Sequence, residues 1–343
     1  MGPSRTAIYP VQARSRATSR VAWLSVLALL AAAAGFGSLV FGTVALDIGS
    51  IAGALIHPKA ASLAHTIVWD IRLPRLLIGA CVGAGLGIAG AMLQMLFRNP
   101  LVDPYVTGVS AGAAVAAAIG IALGVSFVLV PALAFVGGLS CAALVAAVGA
   151  GAGQSGNLRL VLAGIAISSL CAAIVTIVLL RGEGSSGLSI LGWLAGGISG
   201  RGWSDLQWTM LYLSAGVVVG AMLTPSLNAL RLGADAAAGL GLRVERARFA
   251  VLTAAALITA ACVAVSGIVG FVGLMVPHAA RRLVGGDARW LMPASAVGGA
   301  LVVVVADAIA RTAVPATEVP LGVLLALVGV PFFLIIARRP VAL

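Results

Sequence analysis

A few polar residues sit where charge is rare. Asp307 and Arg311 lie four positions apart in an otherwise apolar stretch, a spacing that puts both on one helix face and lets them pair. Arg181 ends another apolar run, and His278 follows Pro277. Charge inside an apolar segment is costly, so such residues read as functional unless an interior partner satisfies them. For Asp307 and His278 both readings stand. For Arg181 and Arg311 the alternative is a long side chain snorkelling to the membrane surface. No catalytic constellation accompanies them. His57, His65 and His278 are far apart, without metal-ligand spacing, and there is no HExxH pattern. Cys81, Cys141, Cys171 and Cys262 sit in apolar runs without CxxC spacing and read as small buried hydrophobes, so no metal site is expected. A phosphate-binding P-loop needs a lysine after a glycine-rich turn. The only lysine, Lys59, follows Pro58. The chain thus carries no standard nucleotide-hydrolysing site, and active transport would draw its energy from a partner or an ion gradient.

The elements that hold these residues follow from composition. Of 343 residues, 61% are apolar and only 9% charged, against about 25% charged in a soluble domain. Mean hydropathy is +1.15. Too few charges exist to cover a soluble surface, which excludes a soluble enzyme, a nucleic-acid reader and a disordered chain. A membrane-spanning helix needs about 20 apolar residues. Runs of suitable length cover 21–46, 76–97, 104–158 (two spans with a turn near Pro131), 160–180, 206–230, 249–277, 290–306 and 319–337. A further short helix fits within 267–284, giving nine or ten spans. Uninterrupted apolar runs, without strand-like alternation, exclude a β-barrel.

Arginine sets the expected orientation. The amino-terminal tail carries Arg5, Arg14, Arg16 and Arg20 and no acid, which places it in the cytoplasm. With ten spans, 15 of the 21 basic residues fall inside. Lys59, Arg72, Arg75, Arg181, Arg201 and Arg311 fall outside or at outer span ends. An odd span count would put Arg338 and Arg339 outside. The net charge of +11 reads as a topology signal rather than a nucleic-acid one. The expected organisation is a cytoplasmic tail at 1–21, one transmembrane domain at 22–337 and a second cytoplasmic tail at 338–343.

Gly79, Gly83 and Gly87 recur every four residues, with Gly90 close behind, a pattern that lets helix backbones approach closely in lipid. Two segments look discontinuous, 90–104 and 267–278. Each has a glycine followed ten residues later by a proline, Gly90 to Pro100 and Gly267 to Pro277. Broken segments at matching positions of two halves suggest an inverted repeat, a common transporter plan.

Several stretches resemble the FecCD-type permease subunits of bacterial ABC importers for haem, iron-siderophores and cobalamin. They are Arg72-Leu-Pro-Arg75, Gly90, Gln94, Arg98-Asn-Pro-Leu101 and Gly108-Val-Ser-Ala-Gly112. Downstream, Leu232-Gly233 through Leu240-Gly241, Gly270-Phe-Val-Gly-Leu274, Pro277-His278, Gly285, Ala306-Asp307 with Arg311, and Glu318-Val-Pro-Leu-Gly322 continue it in order. The resemblance implies an all-α fold of ten spans (the type II importer permease) and a homodimer in the lipid bilayer with the substrate path on its axis. It implies two cytoplasmic ATP-binding subunits that use ATP and Mg, so this chain binds no cofactor itself and is not an enzyme. It also implies a periplasmic substrate-binding protein whose carboxylates meet arginines matching Arg72, Arg75 and Arg311; guanidinium offers carboxylate a rigid bidentate fork.

By the same resemblance the segment 233–242 is the coupling helix for the ATPase, carried by Gly233, Asp235, Leu240 and Gly241. The family commonly has an acid directly after Leu-Gly; here Ala234 holds that place and Asp235 follows. The resemblance puts a cytoplasmic gate at Asn99 and Leu101, and a second constriction at Asn157 and Leu158. Leucine closes a pore by dewetting. Asn99 also reads simply as a turn residue before Pro100. Arg181, at the outer mouth of an apolar path, suits haem propionates, which ranks haem above siderophores and cobalamin. His278 as a haem-iron ligand is disfavoured, since it lies at the inner end of its helix. An ion-coupled secondary transporter remains the alternative class, with Asp307 as its candidate carboxylate.

Overall fold

The computed structural model describes residues 9–42, 44, 46–56, 62–149, 153–181, 185–314 and 317–337, with side chains at 9–18, 106, 153–157, 185, 336 and 337 left undescribed. Everything regular among them is helical. The chain opens with α1 (Tyr9–Val40) and a short α2 (Ile48–Ile56). A single turn, α3 (Leu63–His65), runs through a π-helical stretch, Thr66–Arg72, into α4 (Leu73–Phe97). A 3-10 turn, Pro104–Thr107, leads to α5 (Val109–Ala122), then α6 (Val130–Val148), α7 (Gly153–Arg181) and α8 (Ser185–Leu194). After these come α9 (Trp203–Met222), α10 (Thr224–Leu230), α11 (Ala234–Gly239), α12 (Val244–Ser266), α13 (Val272–Val284), α14 (Ala288–Ala310) and α15 (Leu321–Ala337).

Six helices are long and apolar enough to cross a bilayer, and the bent pair α9 and α10 makes a seventh. Two shorter apolar helices, Val109–Ala122 and Leu321–Ile335, follow the same pattern. With the short α13 beside them, these helices are roughly consistent with the ten spans expected. The turn near Pro131 is present, with Pro131 in the first turn of α6, where its missing N–H leaves no bond unmade. The run 206–230 is bent by 56° at Leu223, just before Pro225.

The break expected within 267–278 is present and splits the run 249–277: α12 stops at Ser266, Gly267 turns the chain at φ +63°, ψ −153°, and helix resumes at Val272. Few residues but glycine accept that conformation. Conversely, α4 is unbroken through Gly90 and ends at Arg98 in a left-handed cap. Gly90 is a packing residue: a Cβ there would land on the carbonyl of Gly273. The two glycine–proline pairs therefore do not mark equivalent breaks.

The glycine spacing does what close helix packing requires. A Cβ on Gly83 would overlap the carbonyl of Gly299, one on Gly299 would overlap that of Gly83, and one on Gly87 would overlap that of Ser295. So α4 and α14 touch backbone to backbone, and van der Waals contact replaces the hydrophobic drive that lipid cannot supply. Around this pair Met92, Leu93, Ile258 and Leu291 are fully buried. Pro277 lies inside α13 and lacks the N–H that would bond the carbonyl of Gly273. The buried side chain of Gln94 fills that vacancy: its Nε2 donates to Gly273 O (3.3 Å) and Leu274 O (3.0 Å). One residue of α4 thereby ties down the proline-weakened turn of α13.

Candidate functional site

At one end of the α4–α14 pair, four charged side chains meet. Arg75, in the first turn of α4, donates from Nε to both carboxylate oxygens of Asp307 (3.1 Å each) and from Nη2 to Oδ1 (2.9 Å). Its Nη1 and Nη2 also reach Glu318 Oε1 and Oε2 at 2.9 and 3.0 Å. Arg75 is thus shared between a carboxylate of α14 and one of the connection to α15. Asp307 is 3% exposed and Arg75 8%. In such surroundings a charge persists only when it is paired and hydrogen-bonded. The Glu318 side chain keeps 36% of its surface open. Its carboxyl is held below the usual range, chiefly by the hydrogen bonds from Arg75 and against a desolvation penalty.

The expected pairing of Asp307 with Arg311 is secondary. Arg311 Nε lies 3.8 Å from Asp307 Oδ2 and makes no hydrogen bond. Its Nη2 instead donates to Ser38 O and Ser38 Oγ, at 2.5 and 2.6 Å. Arg72 works in a related way, with its guanidinium donating to the carbonyls of Leu39, Val40 and Val44. A helix leaves its last carbonyls without internal partners, and a cation there also meets the negative end of the helix dipole. Arg72 and Arg311 together cap the end of α1. Gly42 is required for this, since a Cβ there would sit 2.8 Å from Arg72 Nη2.

The three arginines expected to dock a binding protein are therefore brought together, but buried: Arg72, Arg75 and Arg311 are 4%, 8% and 6% exposed. None offers an unengaged guanidinium face at the surface of this single chain. Glu318 and Ser38 complete the cluster, and the sequence pattern gives neither a role there. Glu318 is visible within its Glu-Val-Pro-Leu-Gly motif as one of only ten acids. Ser38 carries no signal, because serine in an apolar run is unremarkable.

The opposite end carries the other candidates. The segment 233–242 forms α11, begun by Gly233 at φ +112° and followed by Gly241 at φ +83°. Ala237 anchors it with no exposed surface, while Leu232 and Leu240 stand 59% and 69% exposed. Asp235 lies exposed in its first turn, where a carboxylate suits the helix dipole. The Arg98 guanidinium reaches within 3.3 Å of a Cβ position on Gly233, joining the end of α4 to α11. Asn99 is exposed and its Oδ1 accepts from Leu101 N (2.9 Å), which is the turn role its place before Pro100 suggests. Leu158 is 62% exposed near the start of α7. The Asn157 side chain lies outside the described residues, as do Lys59 and His57. Arg181 is not at this end: it is exposed at the last position of α7, a helix length away from Leu158.

Six or seven bilayer-length apolar helices among the described residues, with a glycine-packed pair at the centre, define a multi-pass membrane protein. The chain belongs to the FecCD transport family, whose profile matches residues 29–339. It is 34% identical over 350 residues to the iron(3+)-hydroxamate import permease FhuB of Bacillus subtilis, covering 98% of this chain and 88% of that protein. It is 36% identical over 279 residues to the hemin transport permease HmuU of Yersinia pestis, covering 79% and 83%. The cobalamin import permease BtuC of Halobacterium salinarum is 39% identical over 276 residues, covering 80% and 74%. A metal-chelate type ABC transporter solved in an inward-facing conformation superposes with a TM-score of 0.82 at 30% identity, covering 92% of this chain and 99% of that one. The chain is accordingly an ABC importer permease.

Proposed function

We propose that this chain moves haem across the bacterial inner membrane by alternating access, as a homodimer with both termini in the cytoplasm. Two cytoplasmic subunits would bind ATP and Mg and drive it, and a periplasmic binding protein would deliver the cargo. The observation that carries the coupling part is α11: a short helix raised on one buried alanine, fixed by two glycines and presenting exposed leucines, suits insertion into a partner's cleft. Transport needs no bond made or broken in the cargo, so no catalytic group is required. The gate at Asn99 and Leu101, with Asn157 and Leu158, would open and close as α11 moves. An ion-coupled secondary mechanism is less well supported, because Asp307 is held by Arg75 rather than free to bind an ion.

For docking, the geometry favours exchange over simple contact. Glu318 holds the outer fork of Arg75 and is itself partly exposed. A carboxylate of the binding protein would displace Glu318 and take over that fork, while Arg72 and Arg311 keep the surrounding backbone in place. Haem as cargo rests on Arg181, exposed and cationic at the end of α7, with siderophores and cobalamin as the competing cargoes. The test is co-purification with the neighbouring ATPase and binding protein, then ATP hydrolysis in liposomes with haem, a ferric siderophore or cobalamin. Haem should stimulate most, and Arg181→Ala should lower that stimulation. Stimulation by another chelate but not by haem overturns the cargo assignment; retention of full stimulation in Arg181→Ala removes Arg181 from the path.

A further inference from the structure

At the α11 end of the molecule, Arg281 presents an unsolved problem in charge. It sits in the last turn of α13, and its Nε and Nη2 are buried without a hydrogen-bond partner among the described residues. Arg281 as a whole is only partly buried, but two covered guanidinium nitrogens without partners carry a penalty that an anion would relieve. What surrounds it is more positive charge. Arg231, just after α10, lies close enough to repel it. Both point at one spot: a Cβ on Gly286 would lie 2.5 Å from Arg231 Nη1 and 3.7 Å from Arg281 Nη1. Arg20 reaches within 3.5 Å of the equivalent position on the adjacent Gly285, and Arg282 follows in sequence. The two glycines let the guanidinium groups approach the backbone where a side chain on Gly286 would collide with Arg231.

Among the described residues neither Arg231 nor Arg281 forms an ion pair. The described parts of α1, α10 and α13 contain no acid, and α14 has only Asp307, at its far end. Asp287, in the turn before α14, feels the Arg20 charge, but its Oδ1 already accepts from Asn228 Nδ2 (2.8 Å) and Arg289 N (3.0 Å). Two forked cations converging at Gly286 match a tetrahedral oxyanion, each guanidinium able to grip two oxygens. The level in the bilayer identifies the source. Trp23 lies three residues beyond Arg20 and is 42% exposed, and Trp290 is partly buried at the start of α14. Tryptophan marks the membrane–water boundary.

We propose that Arg231 and Arg281, with Arg20 at the rim, form a binding site for the headgroup phosphate of an anionic phospholipid. The bound lipid would join α1, α10 and the α13–α14 turn directly beside α11. This placement does not depend on the identity of the cargo. The test uses the full chain in complex with its ATPase, stripped of lipid in detergent and then titrated with phosphatidylglycerol, phosphatidylcholine or inorganic phosphate. Thermal unfolding and native mass spectrometry supply the readouts. Phosphatidylglycerol should raise the unfolding midpoint and stay bound, while phosphatidylcholine should not. Arg281→Gln and Arg231→Gln should each weaken that response about tenfold, as loss of a charge-assisted contact of about 1.4 kcal/mol implies. Arg289→Gln, exposed on the neighbouring turn, should leave it unchanged. Should Arg281→Gln fail to fold, the exposed Arg231 carries the test alone. An unchanged response in Arg231→Gln, equal stabilisation by phosphatidylcholine, or full stabilisation by inorganic phosphate without lipid overturns the proposal.

Discussion

Arg75 and Asp307, 232 positions apart in sequence, are joined by three hydrogen bonds of 2.9 to 3.1 Å in a site almost closed to solvent. This pair locks the end of α4 to the end of α14, where glycine stripes have already brought the backbones into contact. Arg75→Gln should therefore destabilise the permease strongly. Leaving one partner of a buried ion pair uncompensated costs about 3–5 kcal/mol. The measurement is the thermal midpoint of the purified chain. A midpoint within experimental error of wild type would show that Asp307 finds another partner. A loss of uptake in Arg75→Glu is thus interpretable as a docking defect only alongside preserved assembly.

Glu318 separates the two roles of Arg75. Its carboxyl titrates below its ordinary value of 4.5, so its contribution to stability is present above that pH and disappears as pH falls through the lowered value. The thermal midpoint should hold steady at neutral and mildly acidic pH and drop below about 4.5. Glu318→Gln should flatten that drop. If a partner's carboxylate replaces Glu318, the same variant should bind the periplasmic binding protein more tightly in nanodiscs. Unaltered binding would sink the displacement idea while leaving the pH prediction standing.

Glycine contacts give a cleaner packing test. Gly83→Ala drives a methyl group into the carbonyl of Gly299, so α4 and α14 must separate. Overpacking of this kind costs about 1–3 kcal/mol. Gly192→Ala is the matched comparison: it lies in α8 with nothing within 4 Å of the new methyl and should be neutral or slightly stabilising. Equal midpoints for the two variants would contradict the close contact.

Coupling should fail without unfolding when α11 is altered at its exposed face. Leu240→Asp replaces a side chain 69% exposed in the single chain, so the midpoint should barely move. Cargo-stimulated ATP hydrolysis of the assembled transporter should fall at least several-fold. Retained stimulation would show that Leu240 does not enter the ATPase cleft.

The membrane class and nearly all spans were legible, because long uncharged runs leave a chain few alternatives. Packing along Gly83 and Gly87 was legible for the same reason: small residues at regular spacing have one obvious use in lipid. Gly90 was legible as a packing glycine but not as the wrong place to start a break, which falls at Arg98 instead. The charged cluster was only half legible. Local spacing brings Arg311 to Asp307, but Arg75 approaches from a distant helix with better geometry. Burial of Arg72 and Arg311 depended on a demand that no side-chain pattern displays, the open carbonyls at the end of α1. Arg281 had no warning at all, because its unmet donors exist only after folding.

The π-helical stretch at Thr66–Arg72 has a consequence for register. A π turn takes in more residues than an α turn, so the stretch rotates everything before it relative to α4. That offset lets Arg72 face the end of α1 while Arg75 faces α14. It also sets Trp69, whose Nε1 donates to Ala54 O (2.9 Å) and whose carbonyl accepts from Trp203 Nε1 (2.9 Å). Winding the same seven residues as ordinary α-helix would swing the upstream contacts through roughly 100°. The helix would survive, yet its angular phase with α1, α2 and α9 would be lost. In this permease the Arg72–Arg75 end is indexed like a gear, and one inserted tooth keeps the two arginines pointing at different partners.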